Sequence, residues 1–112
     1  MNCLFCSIIN GEIPSTKIYE DEYCYAFLDI EPQAPVHCIV VPKEHITSAD
    51  AINSENSNYV ARIFECIPRI AGTLNLTNGY RVITNIGEDG CQSIKHLHFH
   101  ILGGKKLSDK IV

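Results

Sequence analysis

Three histidines recur at every second position near the end of the chain, in His96-Leu97-His98-Phe99-His100-Ile101-Leu102. A β-strand turns successive side chains to opposite faces, with a period of two. Read as a strand, the run puts the three imidazoles on one face and Leu97, Phe99 and Ile101 on the other, against a core. That commits the chain to a sheet with one apolar side and one chemically active side. Imidazole titrates near neutrality, ligates metals, and is a nucleophile when its other nitrogen is held. A single ion does not suit all three rings. At ~3.3 Å per residue, positions i, i+2 and i+4 spread over about 13 Å, against zinc–nitrogen bonds of about 2 Å. A row fits a division of labour instead, with one ring attacking and its neighbours contacting or tuning the substrate.

A length of 112 residues implies one domain, 1–112, with a core of 1–104 and a tail of 105–112. A hydrophobic fraction of 46% is enough to build a real core. Net charge is −4 and the lysines and arginines are scattered, so no basic stripe offers itself to nucleic acid. No run of about 18 apolar residues could span a membrane. Met1-Asn2-Cys3-Leu4-Phe5-Cys6 lacks the basic region and apolar stretch of a secretory signal, and the cytosol is the expected location. There the six cysteines would be kept as thiols. Cys24, Cys38 and Cys66 lie within apolar patterns and read as core, while Cys91 sits in a glycine-bearing loop. Cys3 and Cys6 form a C-x-x-C pair, open to redox, zinc or no role at all. A redox role expects a thioredoxin-like βαβ context, which this chain lacks.

Along the chain, a short helix is expected over Leu4 to Ile9, stopped by Asn10-Gly11. Strands follow at Lys17 to Glu20 and Tyr23 to Asp29, paired as a hairpin across Asp21-Glu22. Ile30 to Pro35 is a loop. His37 to Val41 is a buried strand ended by Pro42, and His45 to Ala51 is irregular or a short helical turn. One long helix is expected from Ser54 or Glu55 to Leu74, with Val60, Ile63, Phe64, Ile67, Ile70, Ala71 and Leu74 on one face and a kink at Pro68. Tyr80 to Ile86 is a fourth strand, Gly87 to Gly90 a loop, and His96 to Leu102 the last strand. The sum is an α+β domain on an antiparallel sheet. All five histidines fall in two places: His37 and His45 flank one strand and its exit, and the other three share the last.

Pro35-Val36-His37-Cys38-Ile39-Val40-Val41-Pro42-Lys43-Glu44-His45 is followed about 50 residues later by Gln92-Ser93-Ile94-Lys95-His96-Leu97-His98-Phe99-His100-Ile101-Leu102-Gly103-Gly104. Together these blocks resemble the histidine triad superfamily, whose pattern His-φ-His-φ-His-φ-φ (φ apolar) is met at every position. The resemblance is closest to its Hint branch, the purine nucleoside phosphoramidases, and runs from Cys3 to Gly104. It implies an α+β fold with an antiparallel sheet of about five strands, one long and one short helix, and a homodimer whose sheets join across a two-fold axis. It also implies hydrolysis of the P–N bond of purine nucleoside 5′-phosphoramidates. In that scheme His98 attacks the α-phosphorus to give a nucleotidyl-histidine, which water then releases. His100 contacts the phosphate oxygens and His37 supports the row from the neighbouring strand. Ser93 lies near the leaving group, Asn85 contacts the phosphate and Asp29 binds the ribose hydroxyls. Phe5, Ile8, Phe27 and Ile30 wall the purine. The chemistry asks for these parts: a nucleophile, a proton for the departing amine, and donors for the phosphate oxygens.

Some bacterial proteins of this superfamily share the Cys-x-x-Cys start and bind structural zinc. Carried over, that site is Cys3, Cys6, His45 and His96, a closed Cys₂His₂ set that would pin the first helix beside the row. A twist at Lys95-His96 would turn His96 to the metal. The chemical step itself would need no cofactor. The chain departs from the Hint pattern in two places. The tail Lys105 to Val112 holds neither the Trp nor the Pro of many relatives, and Cys91 stands where many have glycine. Two alternatives remain: a dinucleotide polyphosphate hydrolase, or a non-catalytic protein that binds purine nucleotides or serves as a zinc-stabilised interaction module.

Overall fold

Five strands form one antiparallel sheet: β1 (Lys17–Glu20), β2 (Cys24–Leu28), β3 (Val36–Pro42), β4 (Arg81–Ile83) and β5 (Phe99–Gly103). Their order is β1-β2-β3-β5-β4. A short helix, α1 (Leu4–Ile9), and a long one, α2 (Ser57–Thr73), complete the α+β fold, with a 3₁₀ turn at Ala49–Ala51. The computed structural model describes residues 3–112. Met1 and Asn2, part of the stretch read as lacking a secretory signal, lie outside the described residues. Among the described residues no helix is long and apolar enough to cross a membrane.

β3 is central, and its register explains both faces. Phe27 pairs with Ile39, and Ile39 pairs with His100. Directly opposed residues share a face, so Phe27, Ile39, His100 and, by alternation, His37 point to one side. Cys38, Val40, Phe99 and Ile101 point to the other. There they meet Ile63, Ile67 and Ile70 of α2 in a closed apolar core. Ile63 and Ile70 are fully buried, each removal from water contributing roughly 1.5–3 kcal/mol. Pro68 lies inside α2 on its exposed side, where the carbonyl its missing N–H would have served can meet water. α1 packs on the opposite side of the sheet, where Phe5 and Ile8 meet Tyr25, Phe27, Ile39 and Val41.

The last strand is shorter than the histidine pattern implies. His96 to His98 alternate in direction, but pairing with β3 begins only at Phe99, opposite Val40. Beyond Val40 the next partners lead to Pro42, which has no N–H to give, and whose carbonyl accepts from the His96 ring at 2.9 Å. The Leu97 N–H instead bonds to the Ile46 carbonyl, outside the sheet. β4 likewise stops at Ile83 rather than Ile86: Thr84 donates its hydroxyl to the His98 carbonyl at 2.7 Å, and Asn85 donates its amide to the Gly90 carbonyl at 2.7 Å. α2 starts at Ser57 because Asn53 and Asn56 first form a turn, Asn53 accepting from the Glu55 N–H and Asn56 from the Asn53 N–H.

Candidate active site and metal centre

The histidine row divides. His96 turns to one cluster, while His98 and His100 stay on the open face of the sheet. Hydrogen bonds fix the tautomers of these rings. His98 Nδ1 lies 2.7 Å from the His96 carbonyl, which can only accept, so Nδ1 carries the proton. Nε2 then keeps its lone pair and has no partner among the described residues. On β3, His37 Nδ1 accepts from the Gln33 N–H at 3.0 Å. Its Nε2 therefore carries the proton and donates to His100 Nδ1 at 2.8 Å. That leaves His100 with its own proton on Nε2, a hydrogen-bond donor beside a nucleophilic lone pair. The His98 and His100 rings meet edge to face, centroids 5.1 Å apart, and Phe5 stands edge-on to His98 at 5.0 Å.

Electrostatics keeps the rings neutral. Burial lowers His98, opposed by its bond to the His96 carbonyl. Burial lowers His37 also, opposed by the Asp29 carboxylate, whose Oδ2 lies 3.5 Å from His37 Nε2. His100 is pushed down to about 4 by burial and by the adjacent His98 and His37 rings. Asp29, His37 and His100 are close enough to one another to suggest an ion. The 2.8 Å nitrogen–nitrogen contact holds a proton, however, and the Gln33 N–H fixes that proton on His37 Nε2. This set is built for a proton chain.

Beside the row opens a cleft of about 360 Å³. Phe5, Ile8, Phe27, Asp29, Ile30 and Ser93, six of the residues expected at the ligand, line it together. Ile30 stands almost wholly exposed at the rim. Asp29 is oriented locally, its Oδ1 accepting from the Glu31 N–H at 2.8 Å. Asn85 is not among the lining residues, and its side-chain amide is engaged by Gly90. Cys91, beside it, adopts a positive φ of 60°, the backbone form that favours glycine. The sequence reading missed Ile39 and Ile94, which also line the cleft. Ile39 was reachable, since it shares the parity of His37 on one strand. Thr84, which holds the His98 carbonyl, carried no signal in the sequence.

The second cluster is Cys3, Cys6, His45 and His96, whose ligand atoms all lie within 4.8 Å of one another. Cys3 Sγ is 3.3 Å from His96 Nδ1, and Cys6 Sγ is 3.3 Å from His45 Nδ1. The His96 Nε2 proton goes to the Pro42 carbonyl, so Nδ1 presents a lone pair to the cluster. Without a cation, burial and the neighbouring Cys3 thiol push Cys6 up to about 11. A dication reverses that cost by holding thiolate. Two soft sulfurs and two imidazoles, one of them oriented by the Pro42 carbonyl, are the donor set of a closed tetrahedral zinc site, and the residues fit it. Cys3 also caps α1 by accepting from the Cys6 N–H, so the cluster and the helix N-terminus are one piece of architecture.

Residues 10–107 match the family model described as the HIT domain. The chain belongs to the HIT domain family. Its fold is that of HIT family hydrolases: the enzyme of that description from Clostridium thermocellum superposes with a TM-score of 0.96 at 45% identity, covering 99% of this chain and 97% of that one. The histidine triad nucleotide-binding protein from Candida albicans is similar to this HIT domain at a TM-score of 0.82 and 33% identity, over 97% of this chain and 85% of that one. A relative from Zea mays, the 14 kDa zinc-binding protein, is 40% identical over 110 residues, 94% of this chain and 84% of that protein.

Proposed function

We propose that this HIT domain hydrolyses the P–N bond of purine nucleoside 5′-phosphoramidates through a nucleotidyl intermediate on His98. The observation that carries the reading is the neutral His98 ring, with Nδ1–H committed to the His96 carbonyl and the Nε2 lone pair free beside the His100 donor. In the first step His98 Nε2 forms a bond to the α-phosphorus as the P–N bond to the amine breaks and the amine leaves with a proton taken from solvent, which the attacking water of the second step returns. His100 Nε2–H donates to a phosphate oxygen as negative charge gathers there. In the second step water attacks the same phosphorus, the His98–phosphorus bond breaks, and the nucleotide departs. Splitting one displacement into two lowers each barrier. The cleft walls Phe5, Ile8, Phe27 and Ile30 suit a flat purine, Asp29 the ribose hydroxyls, and Ser93 the phosphate and leaving-group side. Asn85 contacts the phosphate side in this reading. The named nucleotide-binding neighbour supports a nucleotide ligand.

Zinc at Cys3, Cys6, His45 and His96 is structural in this proposal, holding α1 against the sheet; the zinc-binding relative supports it. The protein acts as a cytosolic homodimer whose sheets join. The deciding experiment is to mix the protein with labelled adenosine 5′-phosphoramidate and quench it under conditions that preserve phosphohistidine. Acid-labile label on the wild type and none on His98→Ala is expected. Label that persists on His98→Ala, or turnover by it, overturns the assignment. A parallel assay with diadenosine polyphosphate separates the dinucleotide-hydrolase alternative. Tight nucleotide binding without trapped label supports the non-catalytic one.

A further inference from the structure

The face of the sheet that the site does not use holds a second pair of thiols. Cys24 begins β2 and Cys66 lies in α2, and their sulfurs are 3.3 Å apart. Cys66 donates its own proton to the Ile63 carbonyl at 3.1 Å, so its sulfur is the acceptor for the Cys24 thiol. We propose that Cys24 and Cys66 are a modification site, a thiol pair that a peroxide converts to a reversible disulfide between sheet and helix. A disulfide bond is about 2.05 Å long, so the sulfurs need to close by about 1.3 Å.

Three further observations favour this pair. A cleft of about 310 Å³ between the β1–β2 turn and α2 is lined by Asp21, Tyr23, Arg62, Cys66 and Arg69, and it leads a small oxidant to Cys66 rather than to Cys24. The hydrogen bond from Cys24 pulls the Cys66 thiol below its ordinary value against burial and the Asp21 carboxylate, whereas Cys24 itself is raised. Attacker and resolver are thereby distinguished. The third core thiol, Cys38, is directed elsewhere, donating to the Ile39 carbonyl at 3.8 Å, and burial pushes it up to about 12.

The chemistry balances with one peroxide. Cys66 sulfur attacks a peroxide oxygen, the O–O bond breaks, water leaves and a sulfenic acid forms on Cys66. Cys24 sulfur then attacks that sulfur, the S–O bond breaks, and a second water leaves with the Cys24 proton. Two thiols lose two electrons in all, and the peroxide gains them. The link joins residues 42 positions apart, which constrains the unfolded chain and ties the hairpin to α2.

The test uses the full chain with zinc supplied, so that Cys3 and Cys6 are engaged. The protein is treated with graded hydrogen peroxide, blocked with N-ethylmaleimide, and digested with trypsin without reduction. The expected product joins peptide 18–43 to peptide 63–69, disappears with dithiothreitol, and fragments to a link at Cys24. The oxidised protein should melt at least about 4 °C higher than the reduced. Cys24→Ser should give no such peptide, and dimedone should then trap Cys66 as the sulfenic acid. Recovery of Cys66 as its maleimide adduct at doses that oxidise the exposed Cys91, or linkage of Cys66 to Cys38, overturns the proposal.

Discussion

The two faces of the sheet are built from the same strands to opposite specifications. On the α2 side, Cys38, Val40, Phe99 and Ile101 meet Ile63 and Ile70 in one buried apolar cluster. On the α1 side, the alternate residues of those strands are His37, Ile39 and His100, and Ile39 lines the cleft that opens beside the two rings. The dry face contributes burial, and any loss of volume there is felt as lost stability. The open face contributes oriented lone pairs and protons, and losses there are felt as lost chemistry. Period-two alternation thus segregates stability from reactivity within a single strand. β5 is the clearest case, with Ile101 fully buried between His100 and Leu102.

Mutations should therefore sort by face. The largest expected effect is His98→Ala, a fall in phosphoramidate turnover of about 10³-fold or more with the far-ultraviolet circular dichroism unchanged. Comparable activity in that variant breaks the assignment of chemistry to the open face. Ile70→Ala should do the reverse, costing about 2–5 kcal/mol in urea unfolding while KM stays put. A changed KM would show that the faces are not separable. Cys6→Ser should lower zinc affinity by about 100-fold or more, measured by competition with a chromophoric chelator, and expose α1 to hydrogen exchange before the α2 side responds.

A pH series sharpens the contrast further. His100 titrates near 4 in the folded protein and near 6.5 in the unfolded chain. Between those values the unfolded state binds more protons. The stability tied to neutral His100 is thus whole above pH 6.5 and is lost as pH falls toward 4. The wild-type thermal midpoint should drop more steeply over that window than that of His100→Gln, a comparison that subtracts the metal site's own acid sensitivity. Parallel curves would refute it. The smallest effect is Thr84→Val, which removes the donor to the His98 carbonyl and should cost about 1 kcal/mol.

Much of this was legible in the chain because it rests on local rules. The bounds of α1, the β1–β2 hairpin and the end of β3 at Pro42 follow from Asn10-Gly11, Asp21-Glu22 and proline chemistry. The sides taken by Leu97, Phe99 and Ile101 follow from alternation, and all three enter the core. Alternation does not guarantee pairing, and here the reading ran long. Residues 96 to 98 extend like a strand, but the His96 carbonyl accepts from the His98 ring, the Leu97 N–H goes to the Ile46 carbonyl and the His98 carbonyl accepts from Thr84. Thr84 and Ile46 lie 14 and 51 residues from the groups they bond and leave no periodic trace. The Gln33 N–H that sets the His37 tautomer is invisible for the same reason, being a backbone group indifferent to its side chain.

His96 occupies both sites at once: its ring belongs to the Cys₂His₂ cluster, and its main-chain oxygen holds the proton of His98. Stripping the metal would leave that buried ring held by the Pro42 carbonyl and the unligated thiols alone, and the looser hold on residue 96 would blur which nitrogen of the neighbouring imidazole is free to react. Chelator in a purification buffer should therefore read out as sluggish catalysis before it reads out as unfolding, and added zinc should bring the lost rate back.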